Sequence, residues 1–108
     1  IVGQALGVAF QAFSQQEYPK AIEKFKYALQ VDPYQPDVAY NLGVAYMMEQ
    51  DYPSALTYLS QSLREGECTA DLCYAMGTVL RHLGDYETAD EFHSKARELD
   101  PGLFAGAV

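Results

Sequence analysis

Two cysteines and two histidines are the residues of this chain whose side chains most readily do chemistry. Cys68 and Cys73 form a C-x4-C pair without a second pair, and structural zinc sites use closer pairs that occur twice. Neither His82 nor His93 lies at a metal-ligand interval from them. We therefore expect no metal site. We expect the cysteines to be small apolar thiols of a reducing compartment, although the sequence also permits an oxidised pair.

Groups for acid, base or nucleophilic catalysis do not fall together by spacing. The sequence contains no glycine-rich phosphate loop and no nucleophile with a histidine and a carboxylate at matching intervals. Its paired acids belong to faces that the pattern predicts to be solvated. We expect a protein that is not an enzyme and that uses no cofactor.

Charge and hydropathy narrow the class of partner. The 108 residues carry a formal net charge of −8 and are 49% hydrophobic, which is typical of one ordered domain. An acidic surface repels phosphate backbones and anionic lipids, and no apolar run approaches the roughly 18 residues that cross a bilayer. We expect no nucleic acid and no membrane insertion, but an apolar or basic protein partner, with a cytoplasmic location.

A period of 34 residues organises the chain. Counting 34 residues either way from Gly43, Ala55 and Ser62 leads to small residues again, namely Ala9, Ala21 and Ala28 on one side and Gly77, Ala89 and Ala96 on the other. A fixed period of this length indicates stacked supersecondary units. We predict three units, 2–35, 36–69 and 70–103, and a tail, 104–108. The chain lacks an initial Met, so we expect a processed or excerpted form whose tail is truncated or folds over the end.

Each unit is predicted to hold two helices. Apolar residues recur at helical spacing on both sides of a polar break, of which Asp51-Tyr52-Pro53 is the clearest. Glycine in a helix costs roughly 1 kcal/mol against alanine, so Gly43 and Gly77 in the same register indicate a packing demand. Gly66 is expected to end the second unit in the left-handed conformation.

The last helix differs from its counterparts. Asp90, His93 and Arg97 stand where the earlier units have apolar residues. These positions are predicted to face a following repeat, where an unpaired charge would be costly to bury. We therefore expect the stack to end here with a polar capping helix.

The pattern LG-x2-Y-x8-A of the second unit resembles the tetratricopeptide (TPR) repeat. It is carried by Leu42, Gly43, Tyr46 and Ala55, with Tyr52, the 34-residue period and the Asp-Pro ends. The first unit departs with Ala9 for the usual glycine and Ala5 for the bulky start, and the third has His93 where an aromatic residue is common. The resemblance implies an all-α fold, a right-handed α-solenoid of three helix-turn-helix repeats.

In TPR-like stacks the first helix of each unit lines a concave groove. The resemblance implies that this groove is mostly apolar and aromatic, and that Phe10 and Tyr40 fall outside the stripe that packs each helix onto its partner. Some members of the set could instead be half-buried between neighbouring first helices. The predicted groove residues are Leu6, Phe10, Phe13, Tyr40, Asn41, Val44, Met47, Met48, Tyr74, Thr78, Arg81 and His82.

Polar groove residues decide between known modes of TPR binding. The subclass that holds chaperone C-termini uses Lys, Asn and Arg residues, but here Leu6, Phe10, Asp71 and Ala75 occupy those places. Asn41 matches one position. We expect its side chain either to hydrogen-bond to the backbone of a ligand or to have a local structural role. Arg81 and His82 are expected to close one end of the groove, solvated or facing an acidic ligand group.

Three functions are consistent with the predicted solenoid and its groove. The first is a protein–protein interaction module that takes a segment of a partner in the groove. The second resembles bacterial secretion chaperones, which keep a hydrophobic client in solution. The third is a self-assembling scaffold, a homo-oligomer in which the tail GLFAGAV of one copy enters the groove of another.

Overall fold

Residues 2–104 form six α-helices and one short 3-10 helix. The computed structural model describes the backbone of residues 2–104 and the side chains of residues 3–102. The helices are α1 (Val2–Ser14), α2 (Tyr18–Val31), α3 (Pro36–Met48), α4 (Tyr52–Glu65), α5 (Ala70–His82) and α6 (Tyr86–Leu99), and the 3-10 helix is Pro101–Phe104. Residues 2–104 contain no strand, which confirms the all-α class. Residues 105–108 of the predicted tail lie outside the described residues.

The turn inside each helix pair has the same backbone geometry three times. In the second pair the N–H of Asp51 donates to the carbonyl of Tyr46 (3.0 Å), across Gln50, whose φ is 63°. This is the Schellman arrangement, which ends a helix with one left-handed residue. The left-handed residues of the other two turns are Gln16 (φ 62°) and Gly84 (φ 92°). A three-residue connection of this kind reverses the chain, so the two helices of a pair run antiparallel.

Aspartates begin two of the three second helices. The side chain of Asp51 accepts a hydrogen bond from the Ser54 N–H (3.3 Å), and that of Asp85 accepts one from the Thr88 N–H (3.2 Å). Each bond satisfies one of the N–H groups that a helix start leaves without a partner. Glu17 makes no such bond at the start of α2, where a proline occupies the first turn.

The helices stack in chain order. Each first helix packs mainly against the second helix of its own pair, α2 packs against α3, and α4 packs against α5. Each of the first two pairs is thus covered by the next one along the chain, which is the organisation of a solenoid. The predicted solenoid of helix-turn-helix units is confirmed.

Close approach inside each pair explains the registered glycines. A Cβ atom on Gly43 would lie 2.7 Å from the Leu59 Cγ, and one on Gly77 would overlap the His93 ring. Because Cβ atoms essentially never come this close to another heavy atom, a larger residue at either position would force the neighbouring side chain to shift. The packing demand predicted from the sequence is confirmed.

The position of His93 corrects the prediction that it faces a following repeat. Its counterparts Phe25 and Leu59 are fully buried, and His93 likewise lies against Gly77 on its own partner helix. The error came from treating one position of the second helix as outward-facing when it points into the pair. Asp90 and Arg97 are exposed on α6, in keeping with a polar last helix.

The conformation of Gly66 also differs from expectation. Its φ of −130° and ψ of −163° are extended, so the left-handed conformation is not what glycine supplies here. A Cβ atom at this position would lie 2.9 Å from the Pro36 Cβ. Glycine is therefore required because the end of α4 passes close to the start of α3.

A disulfide joins the α4–α5 connection to α5. Cys68 and Cys73 are bonded, with their Cα atoms 6.3 Å apart, so the prediction of free thiols is wrong. The connection folds back over the first turn of α5, where the Thr69 hydroxyl accepts a hydrogen bond from the Leu72 N–H (3.1 Å). This return of the chain brings the two sulfur atoms together, and a C-x4-C spacing does not reveal it.

Candidate functional site

Five of the predicted groove residues are half-buried against the two core clusters of the chain. Leu6 and Phe13 of α1 pack against a core cluster that includes residues of α3. Tyr40, Val44 and Met47 of α3 pack against a second cluster that includes residues of α5. These five residues therefore contribute to the hydrophobic core.

Phe10 contributes to folding as well as to the surface. Its ring meets the Phe25 ring of α2 edge-on, with centroids 5.1 Å apart, while 44% of the residue is exposed. The prediction that Phe10 lies outside the stripe that packs α1 onto α2 is therefore wrong. Tyr40 is half-buried against a cluster of α4 and α5 residues. Phe13 is more firmly held, with its ring 5.6 Å from Tyr18 at the turn.

Three large apolar residues of the predicted set remain substantially exposed, one on each first helix. They are Phe10, Met48 and Tyr74, at 44%, 51% and 44% exposure. The Tyr74 ring is tilted against the His93 ring at 5.4 Å. The first helices therefore present a discontinuous apolar surface, with half-buried side chains between the exposed ones.

The polar groove residues bond to their own helices. The Asn41 amide donates to the Asp37 carbonyl (2.8 Å), and the Thr78 hydroxyl donates to the Tyr74 carbonyl (3.0 Å). Of the two roles expected for Asn41, the structure displays the local one. The Oδ1 atom of its amide can still accept a hydrogen bond.

Arg81 and His82 are engaged by aromatic rings at the helix turns. The Arg81 guanidinium lies 5.4 Å from the centre of the Tyr86 ring, a cation–π contact. The His82 ring stacks on Tyr52 of the preceding pair, with centroids 4.3 Å apart and planes 4° apart. These contacts were not expected from the sequence, which suggested solvated side chains or side chains facing a ligand. The His82–Tyr52 stack also joins the second and third pairs.

Carboxylates cluster at the opposite end of α3 and α5. Asp37, Glu67 and Asp71 line a cavity together with Tyr40, near the N-termini of these two helices. Burial, and secondarily the negative charge of Asp71, raises the pKa of the Tyr40 hydroxyl above its ordinary value. This acidic end was not predicted from the sequence. The signal was present, because Asp37 and Asp71 are 34 residues apart and so share one position in their units.

Two negative observations apply to residues 2–104. None of the helices there combines the length and hydropathy that crossing a membrane requires. Over the same range, no three histidine, cysteine, aspartate or glutamate side chains are placed to share a metal ion.

Comparison with known families matches part of the chain to one repeat family. Residues 11–50 match the family model described as TPR repeat. This segment runs from the end of α1 through α2 and α3, so it spans the first turn and the junction between the first and second pairs. No curated protein matches the chain as a sequence.

Solved structures with the same fold cover nearly all of the chain. MamA superposes with a TM-score of 0.89 at 24% identity, over 95% of this chain and 60% of its own length. The first TPR domain of Spaghetti (RPAP3), bound to the HSP90 peptide SRMEEVD, gives 0.84 at 21% identity, over 94% of this chain and 83% of that one. The Yersinia enterocolitica type III secretion chaperone SycD, in complex with a peptide of the translocator YopD, gives 0.84 at 19%, over 94% and 79%. This chain thus spans less than two thirds of MamA.

Proposed function

We propose that this chain, which has the fold of tetratricopeptide repeat proteins and matches that family's model over residues 11–50, is a protein–protein interaction module. Its units are 2–35, 36–69 and 70–103. The concave face formed by α1, α3 and α5, called the groove below, binds a segment of a partner protein. The module is not an enzyme, and it acts by binding alone.

The observation that carries this proposal is the exposure of one large apolar side chain on each first helix. Phe10, Met48 and Tyr74 all lie in the predicted groove set and remain open to solvent. Exposed apolar side chains grouped on one face typically mark interaction surfaces, and methionine adapts to differently shaped partners. Other exposed apolar residues lie on the second helices and the connections, at Tyr27, Val31, Tyr34, Leu83, Tyr86 and Leu99.

Two structural neighbours support a segment of a protein as the ligand. The RPAP3 domain is bound to a peptide of HSP90, and SycD is bound to a peptide of YopD. Both have the fold of this chain over 94% of its residues. By analogy, the partner of this chain presents a short segment to the groove, and the net charge of −8 on this chain favours a segment that is apolar or basic.

A secretion-type chaperone is the second candidate function. The likeness to SycD favours it, because that protein is a type III secretion chaperone with the same fold. In the chaperone function, the groove holds a hydrophobic client protein before that client is exported. A self-assembling scaffold is the third candidate, and the tail that it would use lies mostly outside the described residues.

The cellular location stays a prediction. A cytoplasmic location agrees with the acidic composition, whereas the Cys68–Cys73 disulfide favours an oxidising compartment. Because disulfides rarely persist in the reducing cytosol, the bond weighs against the cytoplasm.

The experiment that tests the proposal is selection from a random 12-residue peptide library displayed on phage, followed by fluorescence polarisation with an enriched peptide. Met48→Asp places a charge in the groove, and Val31→Asp places one on α2 at matched exposure, 51% against 52%. We expect micromolar binding, with at least a tenfold loss for Met48→Asp and less than a twofold change for Val31→Asp. Equal losses in both variants, or no enriched peptide, would overturn the proposal.

A further inference from the structure

A cavity of about 320 Å³ opens where the second and third pairs meet. Its walls come from the first turns of α3 and α5 and from the last turn of α4. The polar groups that line it are Asp37, Tyr40, Ser62, Glu67, Thr69 and Asp71. None of its lining residues is a lysine, arginine or histidine.

A difference between the two inter-pair connections explains why space remains here. In the first connection the Gln35 side chain covers the end of α2, donating to the carbonyls of Ala28 (3.0 Å) and Asp32 (2.7 Å). The residue 34 positions later is Thr69, whose shorter side chain turns toward the Leu72 N–H instead. The end of α4 is therefore not covered by a long side chain as the end of α2 is.

The walls of the cavity are firmly held. The Ser62 hydroxyl donates to the Pro36 carbonyl (2.9 Å), which ties the last turn of α4 to the first turn of α3. The Cys68–Cys73 disulfide ties the connection carrying Glu67 and Thr69 to α5. Such bracing lowers the conformational cost of binding, because the site is already formed before a ligand arrives.

Three carboxylates give the cavity a negative potential. Asp37 and Asp71 lie in the first turns of α3 and α5, where their charges also offset the positive ends of those helices. Glu67 lies on the connection and adds a charge that no helix start requires. The effect of Asp71 on the pKa of Tyr40 is consistent with this negative potential. Over residues 2–104 no three such side chains are placed to share a metal ion.

Tyr40 belongs both to the cavity and to the predicted groove set. It lines the cavity, and like Val44 and Met47 of the same helix it packs against the core cluster of α4 and α5 residues. Val44 and Met48 follow it at intervals of four residues, which places them on the same side of the helix. A ligand lying along α3 therefore meets a negative, aromatic-walled cavity at one end and apolar side chains beyond it.

We propose that this cavity receives the lysine or arginine side chain of the protein segment that the groove binds. The ammonium or guanidinium group lies among Asp37, Glu67 and Asp71, and the aliphatic stem packs on the Tyr40 ring, as long cationic side chains do on aromatic faces. Apolar side chains of the same segment lie against Val44 and Met48. This inference rests on the proposed function and adds the chemistry and direction of the partner segment.

The first test uses a small probe that carries only the cationic side chain. N-acetyl-arginine methylamide is titrated into the 15N-labelled chain, and N-acetyl-citrulline methylamide serves as its neutral analogue. We expect saturable millimolar shifts of the Gly66, Thr69 and Asp71 amides with the arginine probe alone. Asp37→Asn/Asp71→Asn should weaken binding at least fivefold, whereas Asp90→Asn on α6 should not. Equal shifts with citrulline, unchanged affinity in the double variant, or non-saturable shifts would overturn the inference.

A second measurement separates failure of this inference from failure of the proposed function. A library-selected peptide that contains a lysine or arginine is assayed against the wild type and Asp37→Asn/Asp71→Asn. At least a fivefold loss in the double variant supports the cavity as the cation site. Groove binding that the double variant leaves unchanged overturns the inference and keeps the proposed function. If the arginine probe saturates but no peptide binds, the cation site stands alone and the proposed function fails.

Discussion

The Leu59 side chain fills the space beside Gly43, where an added Cβ atom would lie 2.7 Å from the Leu59 Cγ and 3.1 Å from its backbone nitrogen. Because Leu59 is fully buried, neither its side chain nor its helix can move away freely. Gly43→Ala should therefore lower the free energy of unfolding by about 1–2 kcal/mol, since overpacking outweighs the better helix propensity of alanine. Urea denaturation measures the change.

The matched control is Gly7→Ala on α1, where an added Cβ atom would have nothing within 4 Å. There only helix propensity acts, so the variant should gain up to about 1 kcal/mol. Equal gains from both substitutions would show that the α3–α4 contact is looser than the structure indicates.

The left-handed residue of the second turn offers a stabilising substitution. Gln50 has a φ of 63°, a conformation that costs a residue with a Cβ atom roughly 1–2 kcal/mol and costs glycine almost nothing. We expect Gln50→Gly to raise the free energy of unfolding by up to about 1 kcal/mol, after the flexibility of glycine in the unfolded chain is allowed for. Glu49→Gly, at a φ of −86°, should destabilise instead. If Gln50→Gly and Glu49→Gly changed the free energy of unfolding in the same direction, the left-handed conformation assigned to Gln50 would be contradicted.

The disulfide should stabilise the chain modestly. Cys68 and Cys73 are five residues apart, and closing so short a loop is worth about 2 kcal/mol in the chain-entropy account. Adding a reductant should lower the denaturation midpoint of the wild type by the corresponding amount. The Cys68→Ala/Cys73→Ala variant should not respond to reductant. If reductant does not change the denaturation midpoint of the wild type either, the disulfide does not form in solution.

Tyr40 should make the fold sensitive to alkaline pH. Burial and Asp71 raise its pKa above the ordinary 10.0, so the unfolded chain releases this proton before the folded chain does. Stability is therefore fully present below pH 10 and falls as the pH rises from there through the raised pKa. Tyr40→Phe should remove the part of the stability loss that the Tyr40 hydroxyl causes at high pH. Urea denaturation from pH 8 upward measures this loss. Identical pH profiles for the two proteins would contradict the environment assigned to Tyr40.

Sequence reasoning found the repeat because small residues in a fixed register report directly on close helix packing. Close helix packing explains both Gly43 and Gly77, as the repeat pattern predicted. The features that the pattern did not predict depend on the direction of individual side chains. The 34-residue period could not show that Phe10 reaches Phe25, or that Asn41 bonds to its own helix.

The cavity was missed for a related reason. It arises from one shorter side chain, Thr69 in the place of Gln35, in a connection that the repeat pattern treats as a spacer. The disulfide beside it depends on how that connection folds back over α5. Such features follow from the three-dimensional path of the chain, whereas the periodicity constrains only the helices.

Site-specific photocrosslinking tests the central claim most directly. The photoreactive residue p-benzoylphenylalanine is placed at Met48 in the groove or at Val31 on α2, positions of nearly equal exposure, and each protein is irradiated with the library-selected peptide. Binding in the groove predicts a crosslink from position 48 that excess unlabelled peptide abolishes, and none above background from position 31. Crosslinking from position 31 alone, or equal crosslinking from both, would contradict the assignment of the groove as the binding surface.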